Sequence, residues 1–263
     1  MNELPLARSG KTALEVAVQA AREAGKIIVD RFHSAKNITL KSKSNIVTEV
    51  DLLSEKIIID RFEKEYPDFK ILSEETNPTT RPSGYTWIID PLDGTNNYAY
   101  GIPFFCVNIA LAKDEDMLLG VTYDPLRDEL FRAGKGRGAY FNDAPIHVSE
   151  AKSLGESLLG FDLGYNQEQG RELLDIISKL YGRVHCIRMI GSSALGLAYV
   201  ACGRMTLYIH RWLYPWDIAS GLLLIREAGG IVTDWQGSPA SFQSTQLITA
   251  NPAVHQDFMK HMD

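Results

Sequence analysis

Residues Trp87-Ile88-Ile89-Asp90-Pro91-Leu92-Asp93-Gly94-Thr95-Asn96-Asn97 carry an apolar run into a turn that holds two aspartates. The run predicts a buried strand, and Pro91 stiffens the turn because its ring fixes φ. Asp90 and Asp93 can therefore project to the same side of the chain. Two carboxylates this close repel each other unless a cation neutralises them, and a hard ion that prefers oxygen, such as Mg²⁺, suits them. The stretch predicts a metal site at the end of a strand.

The turn continues with Gly94 and Thr95, which favour the binding of an anion. Gly94 lets the backbone approach a ligand closely. The amides of both residues can form a nest for a phosphate group. Carboxylates for a metal beside amides for a phosphate are the layout of a phosphoryl-transfer site. The simpler alternative is that Asp-Gly only forms a turn, with both aspartates as turn residues.

Two further acidic motifs stand at the ends of predicted elements. Ser73-Glu74-Glu75 follows a short apolar run, and Trp216-Asp217 opens a helix that closes at Glu227-Ala228-Gly229-Gly230. Each has an ordinary alternative. The first motif can be a solvated surface patch, and the aspartate of the second can be a helix N-cap or a first-turn acid.

The spacing of apolar residues predicts a chain of mixed α/β class. Helices are predicted over residues 12–33, from 48 to Pro67, over 168–181, 192–202 and 215–228, and from 252 onward, with Asp51 as the capping-box partner of Thr48. Strands are predicted at 38–40, 70–73, 85–90, 104–112, 117–123, 129–133, 184–189, 205–209, 231–233 and 246–250. A change of composition near 150–156 divides the chain into an α+β N-terminal part, 1–150, which holds most of the acidic motifs, and an α/β C-terminal part, 151–263. We expect helices and sheets to pack in layers.

The composition is that of an ordinary globular protein, with 263 residues of which 45% are hydrophobic and 23% charged. A net charge of -6 argues against nucleic acid as the main partner. Cys106, Cys186 and Cys202 have no CxxC spacing, which argues against a disulfide framework and favours a reducing cytoplasm. We expect no signal peptide and no membrane association, because the sequence holds neither an apolar leader core nor an apolar run of about 20 residues.

Taken together, the three acidic motifs resemble those of the inositol monophosphatase family, within the wider group of Mg²⁺-dependent, Li⁺-sensitive phosphatases. The motifs are Ser73-Glu74-Glu75, residues 90–97 (DPLDGTNN), and Trp216-Asp217 with Glu227-Ala228-Gly229-Gly230 downstream. Their order and spacing match the family, and the order of elements agrees over nearly the whole chain. The resemblance implies a layered αβαβα sandwich of the sugar phosphatase type, and a homodimer by analogy with relatives.

The resemblance also implies a set of metal ligands. Glu74, Asp90 and the carbonyl of Leu92 would hold a first Mg²⁺, and Asp90, Asp93 and Asp217 would hold a second. A third, weaker ion near Glu74 is usual for such enzymes, so two or three Mg²⁺ ions are expected in each active site.

The catalytic residues implied by the resemblance are Thr95 and Asp51. This pair would orient and deprotonate the attacking water, while the amides of Gly94 and Thr95 hold the phosphate. One ion would activate the water for an in-line attack on phosphorus, and the other would stabilise the departing oxygen. The ordinary alternative for Asp51 is an acid at a helix start.

The substrate-facing residues implied by the resemblance are less regular. Ser193 lies at the start of a predicted helix, and His210 stands seven residues before Asp217, where well-known members carry an acid. Arg211 beside it is a planar partner for phosphate or carboxylate. Tyr100 stands where many members carry histidine. His210 can also be a plain structural histidine.

Lys41 and Lys43 lie in a polar loop before the second predicted helix. In the resemblance this loop closes over the third ion, with one lysine near the site. The alternative is a solvated, charged loop.

The leading hypothesis is therefore a Mg²⁺-dependent phosphomonoesterase that hydrolyses inositol monophosphate to inositol and phosphate. A second hypothesis keeps the chemistry and changes the substrate to fructose 1,6-bisphosphate, histidinol phosphate, a nucleotide 3'-phosphate or NADP. The third is a non-catalytic, metal-binding protein on the same scaffold. The presence of every expected metal ligand argues against this third hypothesis.

Overall fold

The computed structural model of the chain describes residues 4–34, 37–41 and 46–261. Within these ranges the helices are α1 (Ala13–Phe32), α2 (Glu49–Glu65), α3 (Thr95–Ala99), α4 (Gln167–Leu180), α5 (Ser193–Ala201), α6 (Pro215–Glu227) and α7 (Pro252–Met259). The first nine strands are β1 (Ile38–Leu40), β2 (Ile46–Thr48), β3 (Lys70–Ser73), β4 (Tyr85–Asp93), β5 (Cys106–Lys113), β6 (Asp116–Asp124), β7 (Glu129–Gly134), β8 (Ala139–Phe141) and β9 (Ala144–Pro145). The C-terminal strands are β10 (Leu158–Asp162), β11 (Cys186–Met189), β12 (Leu207–Arg211), β13 (Ile231–Thr233) and β14 (Gln246–Ala250).

Two large sheets organise most of these elements, and β1 and β2 form a separate antiparallel pair. A seven-stranded sheet runs in the order β3-β4-β5-β6-β7-β8-β9, and a five-stranded sheet runs in the order β11-β10-β12-β14-β13. In the larger sheet only β3 and β4 pair in parallel, and the other neighbours are antiparallel. The smaller sheet is mixed, with β10 parallel to both β11 and β12.

The two sheets alternate with three helical layers. Buried residues of α1 and α2 pack with one face of the larger sheet, and buried residues of α5 and α6 fill the space between the two sheets. The outer face of the smaller sheet packs on α4 and α7. The order of layers is therefore α, β, α, β, α, which confirms the predicted sandwich.

Strand β4 shows how the sequence produces this layering. Trp87 and Ile89 belong to the core shared with α1 and α2, whereas Ile88 belongs to the core shared with α5 and α6. Successive side chains of a strand point to opposite faces, so a strand buried on both sides reads as a continuous apolar run. Trp87 also stacks on Phe62 of α2, with 4.0 Å between ring centroids.

Helix α6 lies unusually close to the larger sheet. A Cβ placed on Gly120 of β6 would lie 2.8 Å from the Cα and the carbonyl oxygen of Ser220. A Cβ on Gly221 would lie 2.5 Å from the side chain of Leu197 in α5. Small residues at these contacts set the position of α6, and with it the position of Asp217 in the first turn of that helix.

All the predicted helices and strands are present, with ends displaced by a few residues, but α3, β2, β8, β9 and the central strand β10 are not among the predictions. β10 contains Gly160, which weakens the strand signal. A Cβ on Gly160 would lie 2.1 Å from the sulfur of Met205, so the packing of the sheet requires glycine there. The strand predicted at 205–209 is β12, which extends to Arg211.

The two sheets separate near the predicted boundary at residue 150, but one core joins them. Ile88 and Ala110 of the larger sheet share a buried cluster with Tyr208 and Leu247 of the smaller sheet, through residues of α5 and α6. The division into two subdomains stays a prediction. Across residues 4–34, 37–41 and 46–261, no helix combines the length and the apolar character that crossing a membrane requires.

We predict that Gly120→Ala lowers the free energy of unfolding by about 1–3 kcal/mol, because the added methyl group meets backbone atoms of α6 that cannot move aside cheaply. Urea unfolding followed by circular dichroism measures the change. Gly170→Ala is the matched control, since a Cβ on Gly170 in α4 meets nothing closer than 3.6 Å. That control should be neutral or slightly stabilising, and an equal loss in both variants would contradict the close contact.

Candidate metal centre and active site

Strand β4 delivers Asp90 and Asp93 to the centre of the molecule. Both are buried, with 2% and 7% of their surface exposed. The pairing of β4 with β5 shifts register between them, around Pro91, which has no N–H to donate to a ladder. Gly94 follows at φ 91, in the left-handed region, and a Cβ there would lie 2.9 Å from the carbonyl oxygen of Phe104. The turn therefore needs glycine at this position.

Three carboxylates meet at this point. Oxygen atoms of Asp90, Asp93 and Asp217 all lie within 4.8 Å of one another. Asp90 is oriented by the Leu92 N–H, which donates to its Oδ1 at 3.0 Å. Asp217 is oriented by the Tyr214 N–H, which donates to its Oδ2 at 2.7 Å.

Asp93 is held by residues that are distant in sequence. Its Oδ2 accepts hydrogen bonds from the Ala194 N–H at 2.9 Å and from the hydroxyl of Ser192. These donors stand at the start of α5, so the carboxylate ties the turn after β4 to the middle helical layer. Nothing in the sequence alone indicated Ser192 as a partner of Asp93.

Burial and mutual repulsion raise the pKa of all three carboxyl groups. Burial raises the pKa of Asp93 to about 6. The hydrogen bonds that Asp93 accepts oppose this rise, and the charge of nearby Glu74 adds to it. Burial and the charges of Glu74, Asp93 and Asp217 raise the pKa of Asp90 well above its usual value. Burial and the charge of Asp93 do the same for Asp217. Among the residues that the structure describes, no lysine or arginine is ion-paired with any of the three, so their oxygens fit a divalent cation.

Glu74 lines the same cavity from the end of β3. Its carboxylate Oε1 lies 3.0 Å from the Nζ of Lys41, which also lies 2.5 Å from Oε1 of Glu75. The Glu75 and Thr76 N–H groups donate to Oε1 of Glu55, at 3.0 and 3.2 Å, which fixes the loop to α2. A cation that binds Glu74 would share this acid with Lys41. Lys43 lies outside the described residues.

Thr95 and Asp51 form a hydrogen-bonded pair beside the three carboxylates. The Thr95 hydroxyl lies 2.9 Å from Asp51 Oδ1 and 2.9 Å from the carbonyl oxygen of Leu92. Asp51 Oδ2 accepts from the N–H and the hydroxyl of Thr48, at 2.8 and 2.6 Å, in the capping box that starts α2. Burial raises the pKa of Asp51 to about 6. The helix-start role and the contact with Thr95 thus coexist in one residue.

The cavity beside these groups encloses about 330 Å³. Gly94, Thr95, Ser193 and His210 all line it. The site also uses residues that the sequence reasoning missed. Asn97 donates to the carbonyl oxygens of Ile190 and Gly191 at 3.1 Å, and Asp162 accepts from the N–H groups of the same two residues. Asn97 lies inside the DPLDGTNN motif, which was a usable signal, whereas Asp162 lies in the missed strand β10.

His210 and Arg211 are adjacent in β12 but face different surroundings. His210 is buried, and burial lowers the pKa of its imidazole to about 3, so the ring is neutral. Arg211 is not among the described residues that line the cavity. Its guanidinium lies 2.8 Å from Glu172 and 5.0 Å from the centre of the Trp235 ring. The structure brings His210 to the site and leaves Arg211 engaged elsewhere.

The model of the inositol monophosphatase family matches residues 11–262. The chain belongs to the inositol monophosphatase family. Inositol monophosphatase 1 of Solanum lycopersicum is 38% identical over 264 residues, which cover 97% of each chain. The Nus factor SuhB of Xylella fastidiosa (strain Temecula1 / ATCC 700964) is 38% identical over 253 residues, 93% of this chain and 92% of that protein. The solved IMPase of Thermotoga maritima is 34% identical with a TM-score of 0.87, and covers 95% of this chain and 96% of its own.

These matches establish the general activity and leave the substrate to be argued. The protein is a phosphatase of the inositol monophosphatase family, a phosphoric monoester hydrolase. The family resemblance of the three acidic motifs is thereby confirmed. The roles assigned to individual site residues stay predictions.

We predict that Asp90→Asn raises the stability of the cation-free protein and abolishes its stabilisation by divalent cations. Asparagine carries no charge, so it avoids both the burial of a carboxylate and the repulsion from Glu74, Asp93 and Asp217 that raise the pKa of Asp90. Thermal unfolding in chelator, and again with excess divalent cation, measures both effects. Asp60→Asn is the control, because that exposed acid pairs only with Lys56 among the described residues. A destabilised Asp90→Asn protein that kept the full cation response would contradict the assignment.

Proposed function

We propose that the protein is a Mg²⁺-dependent phosphomonoesterase that hydrolyses inositol monophosphate to inositol and inorganic phosphate. The observation that carries this proposal is the meeting of Asp90, Asp93 and Asp217 within 4.8 Å in the wall of a cavity of about 330 Å³. The turn at Gly94 and Thr95 lines the same cavity and offers backbone amides to a phosphate.

The donor set fits Mg²⁺ because it consists of oxygen atoms only. Asp90, Asp93 and Asp217 would provide the carboxylates, the Leu92 carbonyl a neutral oxygen, and Glu74 a further acid for two or three ions. When bound, Mg²⁺ lowers the pKa of a water molecule and offsets the negative charge that develops on the leaving oxygen. The same ions would also relieve the repulsion among the buried carboxylates.

The protein residues handle the proton of the attacking water. The Thr95 hydroxyl, 2.9 Å from Asp51 Oδ1, can accept from water while it donates to Asp51. Thr48 fixes Asp51 through two hydrogen bonds, which keeps this carboxylate directed at Thr95. With a pKa of about 6, Asp51 is ionised at neutral pH and is suited to act as a general base.

We predict that Asp51→Asn lowers kcat by about 10²–10⁴-fold, the usual range for loss of a general base. In the native enzyme kcat/KM should rise with pH through an acid limb near 6, because Asp51 must lose its proton to act as the base. The variant should lose that limb. Steady-state kinetics from pH 5 to 9 provide the test, with Asp60→Asn as the control. An unchanged acid limb in Asp51→Asn would assign the titration to another group.

We also predict that Thr95→Val loses activity while Thr95→Ser keeps most of it. Valine matches threonine in shape but lacks the hydroxyl that lies 2.9 Å from Asp51, so the fold is expected to survive. The measurement is phosphate release at saturating Mg²⁺, with thermal unfolding as a check of folding. Equal activity in the two variants would show that the Thr95 hydroxyl takes no part in proton transfer.

We propose that Ser193 and His210, which also line the cavity, contact the substrate. A neutral His210 suits a polyol hydroxyl, which can donate or accept a hydrogen bond. Arg211 could contact a substrate only after leaving Glu172, so its proposed role is secondary. From the family we further propose sensitivity to Li⁺, a homodimer and a cytoplasmic location. The three cysteines, none of them in a disulfide, are compatible with a reducing compartment.

The experiment that tests the proposed function is phosphate release from myo-inositol 1-phosphate with Mg²⁺ titrated from zero. Fructose 1,6-bisphosphate, histidinol phosphate, a nucleotide 3'-phosphate and NADP are assayed in parallel. We expect release that depends on Mg²⁺, with inositol phosphate preferred. A preference of more than about tenfold for another substrate would refute the inositol assignment, and the absence of release from every substrate would refute the proposed activity.

A further inference from the structure

Part of the cavity wall is aromatic. Trp212, Tyr214 and Trp216 line it, and they follow His210 at alternate positions of the sequence. The rings of Tyr214 and Trp216 are stacked, with 5.0 Å between centroids and an angle of 11° between planes. Trp216 is 6% exposed and belongs to the core, whereas Tyr214 is 37% exposed. Tyr214 therefore extends the buried stack outward to the cavity.

Trp212 is held in the cavity wall by an unusual backbone conformation. Its φ is 93°, in the left-handed region that bulky residues rarely adopt. The N–H groups of Trp212 and Leu213 both donate to the carbonyl oxygen of Thr245, at 2.7 and 2.8 Å, which fixes this conformation. Gly164 allows the close approach, because a Cβ there would lie 3.2 Å from the Trp212 Cβ. Strained conformations of this kind persist where surrounding contacts over-determine them, often at ligand sites.

One nitrogen of a buried imidazole in the cavity wall has no partner. His210 is 3% exposed, and its Nδ1 has no hydrogen-bond partner among the described residues. A buried polar atom without a partner costs free energy, so such atoms in native proteins call for an explanation. His210 also lines the cavity, so a bound molecule would lie against this side chain.

The cavity wall is acidic, which bears on the charge of the substrate. Its charged residues are acidic, and the described part of the chain contributes no lysine or arginine to the lining. Arg211, which follows His210 in sequence, forms an ion pair with Glu172 and lies over the ring of Trp235. A second phosphate or carboxylate on the substrate would therefore enter an uncompensated site. The wall favours a leaving group that carries no charge.

We propose that Trp212 and Tyr214 are specificity-determining residues that bind an uncharged leaving group through a flat, apolar ring face. This deepens the proposed function and rests on it. The C–H face of a polyol ring or the plane of an aromatic ring can pack against this wall. A leaving group without a ring lacks such a face, and one with a second phosphate brings a charge that the wall does not neutralise. Contacts of aromatic side chains with flat apolar groups are favourable because they bury large, rigid surfaces.

The test compares substrates that differ at the leaving group only. Trp212→Ala should lower kcat/KM for myo-inositol 1-phosphate about fivefold, mainly through KM, if the contact contributes as aromatic pairs do. The value for glycerol 2-phosphate, which has no ring, should change less than about twofold by the same reasoning. Trp212→Phe keeps a ring and should retain the preference. Tyr214→Ala, at a more exposed position, tests the same wall should Trp212→Ala fail to fold.

A gain-of-function variant tests the charge requirement separately. Tyr214→Arg supplies the missing cation and should raise kcat/KM for fructose 1,6-bisphosphate relative to inositol 1-phosphate by about tenfold, the effect of one new charged contact of ~1.4 kcal/mol. Tyr181→Ala and Tyr181→Arg are the matched controls, since Tyr181 is 82% exposed and lies outside the cavity lining. Both controls should leave every ratio unchanged.

The outcomes separate the two proposals. If the native enzyme releases no phosphate from any substrate, the proposed function is refuted. If it is active but Trp212→Ala and Tyr214→Ala lower kcat/KM for the ring and non-ring substrates equally, or for neither, the aromatic subsite is refuted alone. An unchanged bisphosphate ratio in Tyr214→Arg would refute the charge argument.

Discussion

The mutual repulsion of Asp90, Asp93 and Asp217 is the constraint around which this protein is built. Three carboxylates within 4.8 Å in a buried setting destabilise the fold unless a cation joins them. A backbone N–H group donates a hydrogen bond to each carboxylate and offsets part of this destabilisation. The donors to Asp90, Asp93 and Asp217 are the N–H groups of Leu92, Ala194 and Tyr214, respectively. The layers serve the same end, because the close contact of Gly120 with Ser220 sets the helix that carries Asp217. A bound cation would connect β4 and α6 through these carboxylates.

Several residues serve the fold and the site at once. Thr48 and Asp51 form the capping box of α2, and the same carboxylate faces the Thr95 hydroxyl. Ser192 and Ala194 begin α5, and both donate to Asp93. A substitution at such a position changes helix stability and chemistry together, which is why isosteric variants are needed to separate the two effects.

The sequence predicts the pair Asp90 and Asp93 because the two residues are local, whereas Asp217, from a distant segment, was expected beside them only from the family resemblance. Asp90, Pro91 and Asp93 lie in one turn, and the apolar run before them identifies β4. Strand β10 was not predicted, because Gly160 reflects packing against Met205 and not a loop. The environment of Arg211 could not be predicted from the sequence either, because Glu172 and Trp235 come from distant segments. The same holds for the positive φ of Trp212, which depends on hydrogen bonds to Thr245. Contacts between remote segments decide these features, and a single sequence does not encode them in a local pattern.

The central claim is that water attacks phosphorus directly, oriented by Thr95 and Asp51, with no protein nucleophile. The most direct test hydrolyses an inositol 1-phosphorothioate made chiral at phosphorus with two oxygen isotopes, in water enriched in the third isotope, and analyses the configuration of the released thiophosphate. A single in-line displacement by water predicts inversion at phosphorus. Retention would require two displacements through a phosphorylated side chain, and would contradict the account.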